Sequence, residues 1–122
     1  MTDRLVSNHP EVHRALEALE PATKMRVATR IVLWAINEVE GDSNGIAELL
    51  LYGDHASLER LYSETEEQYF YFLERDDDQS VAWFSKARAY SASVFLERNE
   101  LEDAVYESIF ATQKPLKVSD FL

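Results

Sequence analysis

His9 and His13 stand four residues apart, and Glu17 stands four further on. On a helix that spacing stacks side chains on one face, where two imidazoles and a carboxylate could offer three ligands to a zinc ion. A metalloprotease helix carries a glutamate directly after its first histidine, and here Pro10 holds that place. His9 also falls at or before the start of a helix with Pro10 in its first turn, which points its side chain elsewhere. Ordinary surface histidines are therefore the expectation, and neither metal nor cofactor is assigned. His55 follows Asp54, a good helix N-cap, and has no evident serine or cysteine partner for nucleophilic chemistry.

The other reactive groups are carboxylates, and they are unevenly placed. The 122 residues carry a formal charge of −11, and residues 41–80 alone hold 11 acids against 2 bases. Asp76-Asp77-Asp78 lacks the alternating oxygens and central glycine of a calcium loop. No Glu-x-x-His pair is present to build a di-metal helical bundle. Two carboxylates working as general acid and base assemble from distant positions, so composition does not reveal them. A field this lopsided opposes compaction by self-repulsion, yet it attracts and orients a basic partner. The plainer reading of the same run is a solvated face that keeps the chain in solution.

Composition narrows the classes further. With 46% hydrophobic residues, one domain over residues 1–122 can bury a core without staples, and the absence of cysteine removes disulfides, thiol nucleophiles and thiolate zinc sites. A pI near 4.6 argues against direct binding to nucleic acid or to anionic membranes. The first residues lack the apolar run of a signal peptide, and no segment reaches the ~20 apolar residues of a membrane span. A soluble, cytoplasmic protein is expected.

The elements that position these groups are helices. Only 3 Gly and 3 Pro occur, and apolar residues recur at three and four, which predicts an all-α, single-domain bundle of about five to six helices. The first begins near Asn8 or His9. The second starts at Pro21 with Met25, Ala28, Ile31, Val32, Ala35, Ile36 and Val39 on its broad apolar face, and Arg26 and Arg30 on the other as salt-bridge partners for the acidic helix. The Gly-Asp-Ser-Asn-Gly turn at 41–45 precedes a short apolar helix, Ile46 to Tyr52, ended by Gly53. From Leu58 to Leu73 the apolar face collects Leu58, Leu61, Tyr62, Thr65, Tyr69, Phe72 and Leu73. A capping box at Ser63 and Glu66 leaves open a bend at Ser63. The three aspartates at 76–78 break the chain, because they disfavour one helix's C-terminus and favour the next one's N-terminus. The helix from Val81 to Glu97 is apolar or small almost all round and is expected at the centre of the bundle, with Trp83 and Tyr90 in the core. A last helix runs from Leu101 to about Ala111. Residues 114–122 are expected to form an extended or frayed tail, unless Phe121-Leu122 docks on the core.

On the 58–73 helix, the solvent side gathers Arg60, Glu64, Glu67, Tyr71 and Glu74, which leaves one aromatic among carboxylates. Buried aromatic anchors with an electrostatic rim dominate protein interfaces. Glu64, Glu67, Tyr71, Glu74, Asp76, Asp77 and Asp78 therefore form the candidate partner-binding face, and no residue is assigned a catalytic role.

Ile31 to Trp34, the Leu51-Tyr52 pair after the turn, and the Ala82-Trp83 and Ala89-Tyr90 pairs together resemble an all-helical family of immunity proteins from bacterial polymorphic-toxin and contact-dependent inhibition systems. The resemblance spans roughly residues 23–98. It implies a small cytoplasmic protein that neutralises a cognate toxin by stoichiometric binding, without a catalytic residue to carry over. A toxin that attacks nucleic acid has a basic cleft, so its partner on this reading is a basic toxin domain. Two other classes stay open. One is an acidic helical adaptor or DNA mimic that binds a regulatory or DNA-processing protein. The other is an enzyme, which would need at least two carboxylates at core-facing helical positions.

Overall fold

The computed structural model describes residues 3–122, with side chains from Arg4 onward. Seven α-helices and one 3₁₀ turn make up its regular structure: α1 (Asp3–Asn8), α2 (Pro10–Glu17), α3 (Pro21–Glu40), α4 (Asn44–Tyr52), α5 (His55–Glu74), α6 (Gln79–Glu97), α7 (Leu101–Thr112) and the 3₁₀ turn at Val118–Phe121. The described residues contain no strand, and none of their helices is long and apolar enough to cross a membrane. The chain is an all-α bundle, with the short α1 as an element the periodicity did not predict.

Ion pairs at the helix ends fix the directions. Lys24 near the start of α3 approaches Glu102 at the start of α7 (4.0 Å), and Lys114 just beyond α7 reaches Glu38 near the end of α3 (2.6 Å), so α3 and α7 run parallel. Lys86 in the first half of α6 meets Glu40 at the end of α3 (3.6 Å), so α6 runs against both. His55 at the start of α5 meets Glu97 at the end of α6 (2.6 Å), closing an antiparallel hairpin. Helix α6 packs on α5, α7 and α3, and its buried Ala87, Ala89, Ala92, Ser91 and Ser93 let these neighbours approach closely.

The core collects Leu16, Val27, Ala28, Ile31, Val32, Ile36, Leu58, Ala104 and Val105, all fully buried. Helix α5 is continuous through Ser63, where the Thr65 hydroxyl two residues on donates to the Leu61 and Tyr62 carbonyls (2.9 and 2.8 Å) instead of capping a new helix. Gly41 ends α3 with φ 82°, a left-handed turn that a side chain would strain. Asp54 caps α5, its carboxylate accepting from the Ser57 N–H (3.2 Å) and the Ser57 hydroxyl (2.8 Å). The Ser57 hydroxyl bond, and after it the Ser57 backbone bond, hold the Asp54 carboxyl below its ordinary value of 3.8. A depressed folded-state value gives stability that is complete above the unfolded value and disappears as pH falls through the folded one. The melting-temperature difference between the native chain and Asp54→Ala is accordingly expected to be largest at neutral pH and to shrink in acid; melts at pH 7 and in steps below pH 4 would check this.

Two expectations change at the chain's ends and along α5. The tail docks: Val118 is buried, the Phe121 ring meets Trp34 edge-on (5.6 Å), and Arg30 donates to the main-chain oxygens of Phe121 (3.1 Å) and Leu122. Arg30 thus clasps carbonyls of the tail rather than the acidic helix, because the tail returns across its side of α3. Leu73, placed on the apolar face by its spacing, is 48% exposed. The reason is length, since α5 and α6 continue past the ends of α3 and α7 and nothing remains there to cover it. Leu58→Ala should cost about 2–5 kcal/mol by opening a cavity. Leu73→Ser should cost about 1 kcal/mol or less. Urea unfolding of the two variants distinguishes the covered from the overhanging half of one helix.

Candidate protein-binding surface

The overhang is the acid-rich part of the chain. Helix α3 stops at Glu40 level with Lys86, and the end of α7 borders Ala82 and Ser85, so the last turns of α5 and the first turn of α6 project beyond the body. Four large apolar side chains there lack cover: Phe70, Tyr71 and Leu73 at 48–49% exposure and Val81 at 70%. Glu64, Glu67, Glu74, Asp76 and Asp78 are exposed beside them, and Asp77 is half-buried. Asp77 accepts the Gln79 N–H at the start of α6 (2.9 Å), while Asp76 adopts a left-handed φ of 52° to turn the chain. An apolar cluster ringed by carboxylates is what a protein interface needs at its centre and rim.

Of the seven residues of the predicted face, Tyr71, Glu74, Asp76, Asp77 and Asp78 lie on this projection, while Glu64 and Glu67 stand just before it in the middle of α5, beside Glu40 and Lys86, and the projection has two flanks. At 100° per residue, Glu64, Glu67, Tyr71 and Glu74 share one ridge of α5, and Phe70 and Leu73 lie on the other side. Tyr71 is not open to the carboxylates on both faces. The Arg75 guanidinium lies 3.7 Å from its ring centroid and donates to the Tyr71 carbonyl (2.8 Å), and Phe72 stands against its edge (5.0 Å). A partner reaching the ring must share it with Arg75 or displace it.

On the Phe70 flank, aromatic rings continue across three helices to α2. Phe70, Tyr69, Phe84, Phe110, Tyr106 and His9 follow one another with centroids 5.1–6.1 Å apart, and Phe70 and Phe110 are the most exposed of them. His9 precedes α2 and leans on Tyr106, which takes it away from His13. Beneath this row lies a cluster the sequence reading missed. Asp103 and Glu107, one turn apart on α7, are each only 2% exposed. Arg4 pairs with Asp103 (3.1 Å) and approaches Glu107 (3.8 Å). Arg88 donates to Glu107 (2.9 Å) and to Glu66 (2.9 Å), and the Ser91 hydroxyl also donates to Glu107 (2.9 Å). Tyr62 completes the set by donating to Glu66 (2.9 Å), with its phenol pushed above the ordinary value by burial and by that bond. These are two acids at core-facing positions, the condition set for an enzyme. Each is matched by a guanidinium, so the arrangement ties α1, α5, α6 and α7 together rather than presenting a carboxylate poised to move a proton.

The other histidines lie against carboxylates. His13 Nδ1 is 2.5 Å from Glu102, and with Glu17 these form a cluster whose ligating atoms all lie within 4.8 Å of one another. Glu102 of α7 takes the place that the spacing had suggested for His9. The Lys24 ammonium lies at 2.9 Å from Glu17 and 4.0 Å from Glu102, so a cation already neutralises these carboxylates, and its hydrogen bond holds the Glu17 carboxyl below its ordinary value. His55 is clasped between Glu97 (2.6 Å) and Glu59 (3.2 Å), which binds the α5–α6 hairpin at its closed end.

Leu51 and Tyr52, at 78% and 80% exposure, stand out from α4 and do not pack into the core, whereas Ile31 and Val32 are fully buried. No protein-family profile matches the chain, and neither a curated protein nor a solved structure does.

Proposed function

We propose that this chain is an acidic protein-binding module that acts in the cytoplasm as an immunity protein, neutralising a cognate basic toxin domain by stoichiometric binding and without catalysis. The observation that carries the reading is the α5–α6 projection. It leaves Phe70, Tyr71, Leu73 and Val81 uncovered beside Glu64, Glu67, Glu74, Asp76, Asp77 and Asp78, with Arg75 as the one base between residues 64 and 81. A folded chain that holds apolar side chains in water among like charges gains nothing in stability from either feature. Both become favourable against a surface that brings positive charge and covers the rings.

The test is an affinity capture from the source cell at low salt, repeated at high salt, followed by co-expression of whatever is captured. The expected result is one basic domain in equimolar amount, lost at high salt, whose toxicity to the cell this chain relieves. Capture of a regulatory or DNA-processing protein that is harmless when expressed alone would overturn the immunity reading in favour of the adaptor. Capture of nothing would reduce the acidic run to a solubilising role.

A further inference from the structure

On the Glu64 side of the projection, the end of α3, the middle of α5 and the first half of α6 enclose a cleft of about 450 Å³. Trp83 and Tyr90 form its aromatic wall, and Glu40, Glu64 and Glu67 stand around it. The one base that borders it, Lys86, holds its ammonium 4.6 Å from the Trp83 ring centroid and 3.6 Å from Glu40. This internal cation marks where positive charge is stabilised: over an indole face, which attracts cations through its quadrupole, and beside a carboxylate. Lys86 answers only one of the three carboxylates. Neither Glu64 nor Glu67 has an ion-pair partner among the described residues, and both are exposed at the mouth. On the inner wall the Tyr90 phenol is pushed up by burial and then by Glu40.

We propose that this cleft receives an arginine side chain of the protein partner, its guanidinium taking the place of the Lys86 ammonium over the Trp83 ring and bonding to Glu64 and Glu67. The inference rests on the binding role proposed above and names what that surface grips. A planar guanidinium suits the site better than an ammonium. It stacks flat on an indole while its N–H groups fan out toward carboxylates at the edge, so it can displace Lys86 and engage both glutamates at once, whereas an ammonium would only exchange one point charge for another. Arginine is also the charged residue most enriched among interface anchors. A second copy of this chain is a poor occupant, because it would bring another acidic projection to an acidic mouth.

The experiment is an NMR titration of the intact, isotope-labelled protein with a blocked hexa-arginine peptide, with hexa-lysine and spermidine as the competing cations. The expected result is a shift of the Trp83 indole resonance, with Trp34, packed against Phe121, unmoved, and tighter binding of hexa-arginine than of either competitor. In the Glu64→Gln/Glu67→Gln variant the affinity should fall about tenfold, while the charge-matched Glu11→Gln/Glu20→Gln variant, whose exposed acids lie outside the proposed binding face, should stay within about twofold. Equal weakening in both variants would show a general field without a receptor and overturn the proposal, as would a stationary Trp83 signal. Spermidine or hexa-lysine binding as tightly as hexa-arginine would overturn the guanidinium assignment. The captured partner serves as a separate control. If it binds Glu64→Gln/Glu67→Gln normally, the cleft is refuted and the binding role stands; if no partner exists, the binding role fails whatever the peptide does.

Discussion

Arg88→Met is expected to lower the unfolding free energy by about 3–5 kcal/mol, the range for removing one partner of a buried ion pair. Arg88 is the only group that touches both Glu107 and Glu66 (2.9 Å each), and the Glu107 side chain it serves is 2% exposed. Without the guanidinium, Glu107 keeps the Ser91 hydroxyl and a distant Arg4 at 3.8 Å, which is too little to hold an ionised carboxylate in the core. The network is already incomplete, since Glu107 Oε2 and Arg88 Nε make no hydrogen bond within the protein. Two companion variants locate the cost. Glu66→Gln should lose about 1 kcal/mol or less, because that side chain is 34% exposed and water can replace the arginine. Arg88→Met/Glu107→Leu should recover most of the loss, because an apolar pair leaves no charge stranded. Urea unfolding of all three, with Glu107→Leu alone added to close a double-mutant cycle, checks it. A loss below about 1 kcal/mol for Arg88→Met would mean that the carboxylate is solvated and the network is not a structural tie.

The second large effect concerns association. Glu64→Lys/Glu67→Lys/Glu74→Lys raises the formal charge of −11 by six units, all on one ridge of α5. Electrostatic steering changes encounter rates by about 10–1000-fold, so the rate constant for binding a basic partner should fall within that span at low salt. The deficit should close as salt rises and the Debye length falls to about 8 Å at physiological ionic strength. Stopped-flow mixing across a salt series measures this. The three positions are exposed, so the variant should keep its fold, which a circular dichroism melt verifies. An unchanged association rate in a folded variant would refute the face.

How far the sequence could be read differs between its faces. Most of the core of α3 follows from spacing, because Ala28, Ile31, Val32, Ala35 and Ile36 recur at helical intervals and are all buried, whereas Met25 on the same expected face is 36% exposed and Val27, outside it, is fully buried. The outward position of Tyr71 and the carboxylates follows for the same reason. Asp103 and Glu107 did not follow. Spacing places them opposite Val105 and Ser108, and for a helix packed on one side that means solvent. Helix α7 is instead packed between α3 on one side and α6 with α1 on the other, so its polar face is buried as well. The compensating arginines come from positions 99 and 19 residues away, and no local pattern announces a pairing across such distances. Leu73 and Trp83 failed in the opposite sense. Each has a core-like spacing, yet helix length, which periodicity does not encode, carries Leu73 past its neighbours and leaves Trp83 half-buried at the edge of a cleft.

The tie between α1 and α7 bears on the order in which the chain acquires its structure during synthesis. Helix α7 leaves a ribosome long after Arg4, and Arg30 likewise waits for Phe121. The α5–α6 hairpin, joined by near neighbours in sequence, can form early, with Arg88 already facing Glu66. Until α7 arrives, Arg88 lacks Glu107 and α1 has nothing to hold it. Closure of the bundle therefore waits for α7, and until then the nascent chain carries its acidic hairpin formed and α1 unlatched.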